Sequence, residues 1–174
     1  ALVSIVDAAN PDALAIVGTF ATGLLGTAYG GVGCNVNGNT LVLAYSGDSP
    51  SSFDTVKIVA FDIGGANATA PVQQNATPVD LGRLFGAGIA FVGSTGYLPT
   101  SIYVYNPFSQ FIFEQWGNLL ALDFSTPSAP VLSGELFRHF PPPSTDTNHP
   151  QYGGPNMVNG AVISGNYVLL PSTT

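Results

Sequence analysis

The side chains with most chemistry to offer stand in one short stretch. His139, Asp146 and His149 fall within the proline-rich segment Phe137-Arg-His-Phe-Pro-Pro-Pro-Ser-Thr-Asp-Thr-Asn-His-Pro-Gln-Tyr152, which holds both histidines of the chain. Imidazole nitrogens and carboxylate oxygens are metal ligands, and an imidazole beside a carboxylate is an acid–base couple. The i, i+7, i+10 spacing matches no regular metal motif, so these residues read first as solvated loop residues and no metal site is assigned. Long loops inserted in a repeat scaffold are where binding residues gather, which makes His139, Asp146, His149 and Tyr152 binding candidates. Trp116 joins them from the aromatic-rich stretch 97–116. The alternation at 103 and 105 and at 111 and 113 predicts a buried strand face, with Asn106-Pro107-Phe108-Ser109 as a turn. The alternative is an exposed aromatic platform for carbohydrate or a partner protein.

Other catalytic signatures are absent from the sequence. It has no Gly-x-Ser-x-Gly elbow, phosphate-cradling loop or dinucleotide fingerprint, so no cofactor is expected. Carboxylate pairs such as Asp7 with Asp12 serve hydrolysis only if the fold holds them about 5 to 10 Å apart. Cys34 is the single cysteine; it forms no intrachain disulfide and is expected as a small buried apolar residue. Asn67-Ala68-Thr69 and Asn75-Ala76-Thr77 fit the N-glycosylation acceptor pattern, which makes Asn67 and Asn75 glycosylation candidates in a secreted glycoprotein.

These residues must be positioned by a chain of unusual composition. Of 174 residues, 45% are hydrophobic and only 7% charged, far below the quarter or so typical of soluble domains. Ser, Thr, Asn and Gly keep the surface wetted instead, a composition that suits β proteins outside the cell. Three basic residues against ten acidic ones give a net charge of -7, which removes the attraction that supplies most nucleic-acid affinity and disfavours anionic membrane surfaces. No apolar run approaches the length of a membrane span. The expected setting is therefore extracellular or the cell surface.

The strand-rich pattern repeats. Ser4-Ile-Val-Asp-Ala-Ala-Asn-Pro-Asp-Ala-Leu-Ala-Ile-Val-Gly18 and Leu120-Ala-Leu-Asp-Phe-Ser-Thr-Pro-Ser-Ala-Pro-Val-Leu-Ser-Gly134 share a plan of strand, Asp, proline turn, and strand ending in Gly. Lys57-Ile-Val-Ala-Phe-Asp-Ile-Gly-Gly is a third copy, so Asp7, Asp62 and Asp123 recur at intervals of 55 and 61 residues. The repeated Asp is expected to accept N–H bonds in the turn that follows it. Between these copies lie Gly33 to Tyr45, Gly88 to Thr100 and Gly160 to Ser172, each reading as a β-hairpin; Asn37-Gly38 and Gly165-Asn166 supply the turn chemistry.

The pairing of the Ser164 to Ser172 hairpin with the Leu119 to Gly134 plan resembles LVIVD-repeat β-propellers. The match covers residues 2–18, 119–134 and 160–172 best. The resemblance implies an all-β fold: a partial β-propeller of about three diverged four-stranded repeats, near 1–53, 54–115 and 116–174, in one unit spanning 1–174. A β-sandwich or jelly-roll subunit is the alternative architecture. On the propeller plan the chain opens with the last two strands of one blade, holds two complete blades and closes with the first two of another. Three blades are too few to close a ring, so the expected partners are other protein chains or further copies of the same chain. The expected role is an extracellular structural or interaction module presenting inserted loops. Two alternatives stand beside it: part of a propeller enzyme, a hydrolase or metal-dependent oxidoreductase, with a site near the His139–His149 loop, and a subunit of a secreted fibre or shell.

Overall fold

The computed structural model describes residues 2–22, 33–46, 55–75, 79–86, 88–105, 112–139 and 161–169. The chain is all-β; among the described residues every strand pair is antiparallel, and none of the three sheets found there closes on itself. Thirteen strands occur among the described residues: β1 (Leu2–Asp7), β2 (Ala15–Ala21), β3 (Gly33–Asn37), β4 (Thr40–Ser46), β5 (Thr55–Asp62), β6 (Val72–Gln73), β7 (Val79–Gly86), β8 (Ala90–Val92), β9 (Thr95–Tyr105), β10 (Ile112–Asp123), β11 (Val131–His139), β12 (Val162–Ser164) and β13 (Tyr167–Leu169). The hairpins β1-β2 and β12-β13 stand apart from a nine-stranded sheet of order β11-β10-β9-β7-β5-β4-β3, with β6 on β5 and β8 on β9.

Local sequence explains the hairpins. In each of β3-β4, β8-β9 and β12-β13 two residues join the strands, and the first is a glycine in the left-handed region: Gly38 (φ 59°), Gly93 (φ 57°) and Gly165 (φ 57°). Tight turns of this kind match the twist of the strands but require positive φ, which costs other L-residues energy. The first turn is thus centred on Gly38-Asn39, one residue later than Asn37-Gly38.

The large sheet folds over at β7. This strand opposes β5 at Val79, Asp80 and Leu84, then opposes β9 at Leu84 and Gly86, so it begins in one layer and ends in the next. The two layers face each other across the main core: Val42, Ala44, Val56, Ile58 and Ala60 from the first, and Ile89, Leu98, Leu120, Leu122 and Phe124 from the second. The opposite face of the first layer, Leu41, Leu43, Tyr45, Val59 and Phe61, is covered by Val3 and Phe20 of β1-β2. Phe20 meets Phe61 edge to face at 5.1 Å. Period-two alternation thus makes both faces of the first layer apolar, as burial on two sides demands. On the far side, β12 lies against β8.

Cys34 is exposed, against the expectation of a buried thiol. It sits on β3, the edge strand of the sheet, where alternation leaves one face uncovered.

Candidate functional site

The three repeated aspartates occupy one structural position. Asp7 Oδ1 accepts from the Ala9 N–H at 2.9 Å, Asp62 Oδ1 from the Gly64 N–H at 2.9 Å, and Asp123 Oδ1 from the Ser125 N–H at 2.8 Å. Each carboxylate therefore closes the turn that leaves its strand, the role read from the sequence. Asp62 also accepts from the Asn67 amide at 2.8 Å, and Asp123 from the Ser125 hydroxyl at 2.8 Å. The Gly64 N–H, then the Asn67 amide, hold the Asp62 carboxyl below its ordinary value, against a smaller opposing effect of desolvation. At Asp123 the Ser125 N–H and then its hydroxyl do the same.

The equivalence extends beyond the turn. The residue after each Asp in the two complete layers donates its N–H to the second residue of that layer's hairpin turn: Ile63 to Asn39 and Phe124 to Ser94, both at 2.8 Å. A bulge falls at the same place in the first and third copies. In β1-β2, Val6 opposes Ile16 but Ile5 opposes Gly18, leaving Val17 extra; in β10-β11, Leu122 opposes Leu132 but Ala121 opposes Gly134, leaving Ser133 extra. The Ser133 hydroxyl donates to the Ala121 carbonyl at 3.0 Å. In the middle copy Phe61 opposes Gln73 and Ile58 opposes Val79, so the interruption is longer and Asn75 occupies it. The role of Asn75 was not legible in the sequence, where it stood out only as part of an acceptor triplet.

Asn75 is buried, its Oδ1 accepts from the Ala60 N–H, and its Nδ2 donates to the Ile58 carbonyl. In this packing Asn75 serves as a ladder residue, with its amide nitrogen held on the Ile58 carbonyl. Asn67 stays half-buried at the surface with its amide on Asp62.

Of the binding candidates, Trp116 and His139 are brought together: they oppose each other in the β10-β11 register, at the end of β10 remote from the Asp123 turn. Asp146, His149 and Tyr152 lie outside the described residues, as do residues 106–111, where the turn at Asn106 to Ser109 was expected. Among the described residues no three His, Cys, Asp or Glu side chains converge in a way that would hold a metal ion. No helix there is long and apolar enough to cross a membrane.

Sequence reading also missed Thr100 and Asn118, which oppose each other on β9 and β10. Both are buried, and Thr100 Oγ1 and Asn118 Oδ1 have no hydrogen-bond partner, while Asn118 Nδ2 donates to Glu135 Oε1 at 2.6 Å. The two layers are also stitched through β3: Asn35 Nδ2 donates to the Ile89 carbonyl at 2.7 Å, and Asn37 Nδ2 to the Gly93 carbonyl at 2.8 Å.

No protein-family model, curated protein or solved structure matches the chain.

Proposed function

We propose that the chain is a non-enzymatic structural and interaction module acting outside the cell, a segment of β-propeller that presents inserted loops to a partner protein. The observation that carries this reading is the recurrence, in equivalent positions, of a Gly-initiated hairpin, an Asp-closed turn and a bulge on layers that stack face to face. Repeats of this kind serve as scaffolds whose variable segments carry recognition. The 140–160 segment, with Asp146, His149 and Tyr152, is the recognition loop on this reading. The repeated carboxylates of Asp7, Asp62 and Asp123 accept main-chain N–H groups, the structural use that a scaffold repeat makes of them.

Exchange of residues 140–160 for an unrelated polar loop of equal length tests the division into scaffold and loop. Chemical denaturation is expected to change by no more than about 0.5 kcal/mol, the range of surface changes remote from packing. Loss of cooperative unfolding overturns the reading. Elemental analysis finding stoichiometric metal in the purified chain would also overturn it, in favour of an enzyme centred on the His139–His149 loop.

A further inference from the structure

We infer that Asn37 is a site of covalent self-modification: the Gly38 nitrogen attacks the Asn37 side chain and expels its amide as ammonia, which cuts one of the two amide links that β3 makes to the second layer among the described residues. The reaction depends on the contact between the two layers and on nothing that the protein binds.

Water is the only co-reactant. The Gly38 nitrogen gives up its proton and bonds to Asn37 Cγ, the Cγ–Nδ2 bond breaks, and the NH2 group leaves with that proton as ammonia. An imide ring joining residues 37 and 38 remains, and water opens it at one carbonyl or the other. One opening leaves an aspartate. The other leaves an isoaspartate, in which the main chain runs through the former side-chain carbon and the former main-chain carbonyl is a free carboxylate. Nothing is oxidised or reduced.

Asn37 is singled out by the residue that follows it. Ring closure needs a following nitrogen that carries a proton and can approach Cγ closely, which glycine permits because it has no Cβ. A Cβ built on Gly38 would meet nothing within 4 Å, so the approach is open on all sides. Asn37 opposes Thr40 in the ladder, which leaves Gly38 in the turn, and no acceptor among the described residues takes its N–H. Other asparagines lack these conditions. Asn10 precedes Pro11, which has no N–H. Asn35 precedes Val36, whose branched side chain crowds the approach and whose N–H donates to Asn35 Oδ1 at 2.8 Å. The second Asn-Gly pair, Asn159-Gly160, lies outside the described residues.

The leaving group is also the link. Asn37 Nδ2 donates to the carbonyl of Gly93, the first turn residue of the β8-β9 hairpin, at 2.8 Å, while Asn35 Nδ2 holds the Ile89 carbonyl at 2.7 Å. The bond to Gly93 restrains the half-buried Asn37 amide, so ring closure proceeds from local openings of that contact. Each closure is irreversible, because the ammonia is lost. The aspartate product is acceptor-only when ionised: it has no proton for the Gly93 carbonyl and sets a negative charge against that oxygen. The isoaspartate product also lengthens the main chain by a carbon immediately before a two-residue turn. Both products release β3 from the second layer at the turn end, and the Asn35 link remains.

Ageing of the full chain in mildly alkaline buffer at body temperature tests the site, with Asn159→Gln as a parallel sample that silences the second Asn-Gly pair. Peptide mass spectrometry locates ammonia loss, and enzymatic methyl transfer counts isoaspartate. Asn37 is expected to react before Asn35 and every other described asparagine, and roughly tenfold more slowly in the folded chain than in urea, the effect of a contact open about a tenth of the time. The reacted chains, separated by anion exchange through their added negative charge, should show a lower denaturation midpoint and faster hydrogen exchange at 33–37 and 89–93 than the unreacted ones. Asn37→Asp should reproduce both changes, and the reacted fraction of the parent chain gives the same reading if that variant does not fold. Reaction at Asn37 no faster than at Asn35, or none in the folded chain while the unfolded chain is converted, overturns the site. Equal rates folded and unfolded, or equal midpoints and exchange before and after reaction, overturn the link to Gly93.

Discussion

The side chain of Asn75 takes the place of a peptide group opposite Ala60. Its Oδ1 accepts from the Ala60 N–H at 2.8 Å, its Nδ2 donates to the Ile58 carbonyl at 3.1 Å, and the Gln74 N–H reaches the Ala60 carbonyl at 2.8 Å. β6 and β7 therefore flank β5 as one interrupted outer strand. A carboxamide presents an N–H donor and a carbonyl acceptor on separate atoms, spaced nearly as in a backbone amide, which a hydroxyl or an ionised carboxylate does not.

Asn75→Ala should therefore cost about 1–3 kcal/mol in a urea or guanidinium unfolding series, the penalty of leaving buried main-chain groups unpaired. Asn75→Asp retains the acceptor but turns an oxygen toward the Ile58 carbonyl, so it should be no less damaging. A loss below about 0.5 kcal/mol for both would remove Asn75 from the ladder.

Stability should fall in acid through Asp62 and Asp123. Their carboxyls titrate lower in the folded chain than in the unfolded one, because turn N–H groups favour the charged form. A lowered folded value stabilises the fold fully above the unfolded value, about 4, and the contribution is lost as the pH falls through the folded values. Thermal midpoints recorded between pH 7 and 2 should drop in that acid window, and the drop should be shallower in the Asp62→Asn, Asp123→Asn double variant.

Gly96 should resist alanine and Gly134 should tolerate it. A Cβ on Gly96 would stand 2.8 Å from Ile89 Cδ1, 2.9 Å from Phe124 Cε2 and 3.0 Å from Phe91 Cε1, atoms held by the edge-to-face pairing of Phe91 with Phe124. Overpacking of this kind costs about 1–3 kcal/mol. At Gly134 the nearest neighbour is Ala121 Cβ at 3.6 Å, an ordinary contact, so Gly134→Ala should leave the denaturation midpoint within about 0.5 kcal/mol of the parent.

Thr100→Val is expected to stabilise. The hydroxyl is buried without a partner, and an isosteric methyl removes that desolvation penalty, a gain of up to about 1 kcal/mol. A loss of stability on the same scale would mean that the hydroxyl is satisfied in solution.

The features legible in the sequence are those that neighbouring residues decide. Gly38 and Gly165 mark tight turns because positive φ is a property of one residue, and Asp7, Asp62 and Asp123 cap their turns because the acceptor and the N–H lie two residues apart. Strand alternation follows equally from local order, which made the all-β class and the repeat readable. Tertiary structure alone decided the rest: the crossing of β7 from β5 to β9, the burial of Asn75 against residues 15 and 17 positions earlier, the exposure of Cys34 on an edge, and the Trp116–His139 register. Each depends on which distant strand arrives alongside, a choice set by the burial of whole apolar faces and the pairing of whole edges, so no short stretch of the chain encodes it.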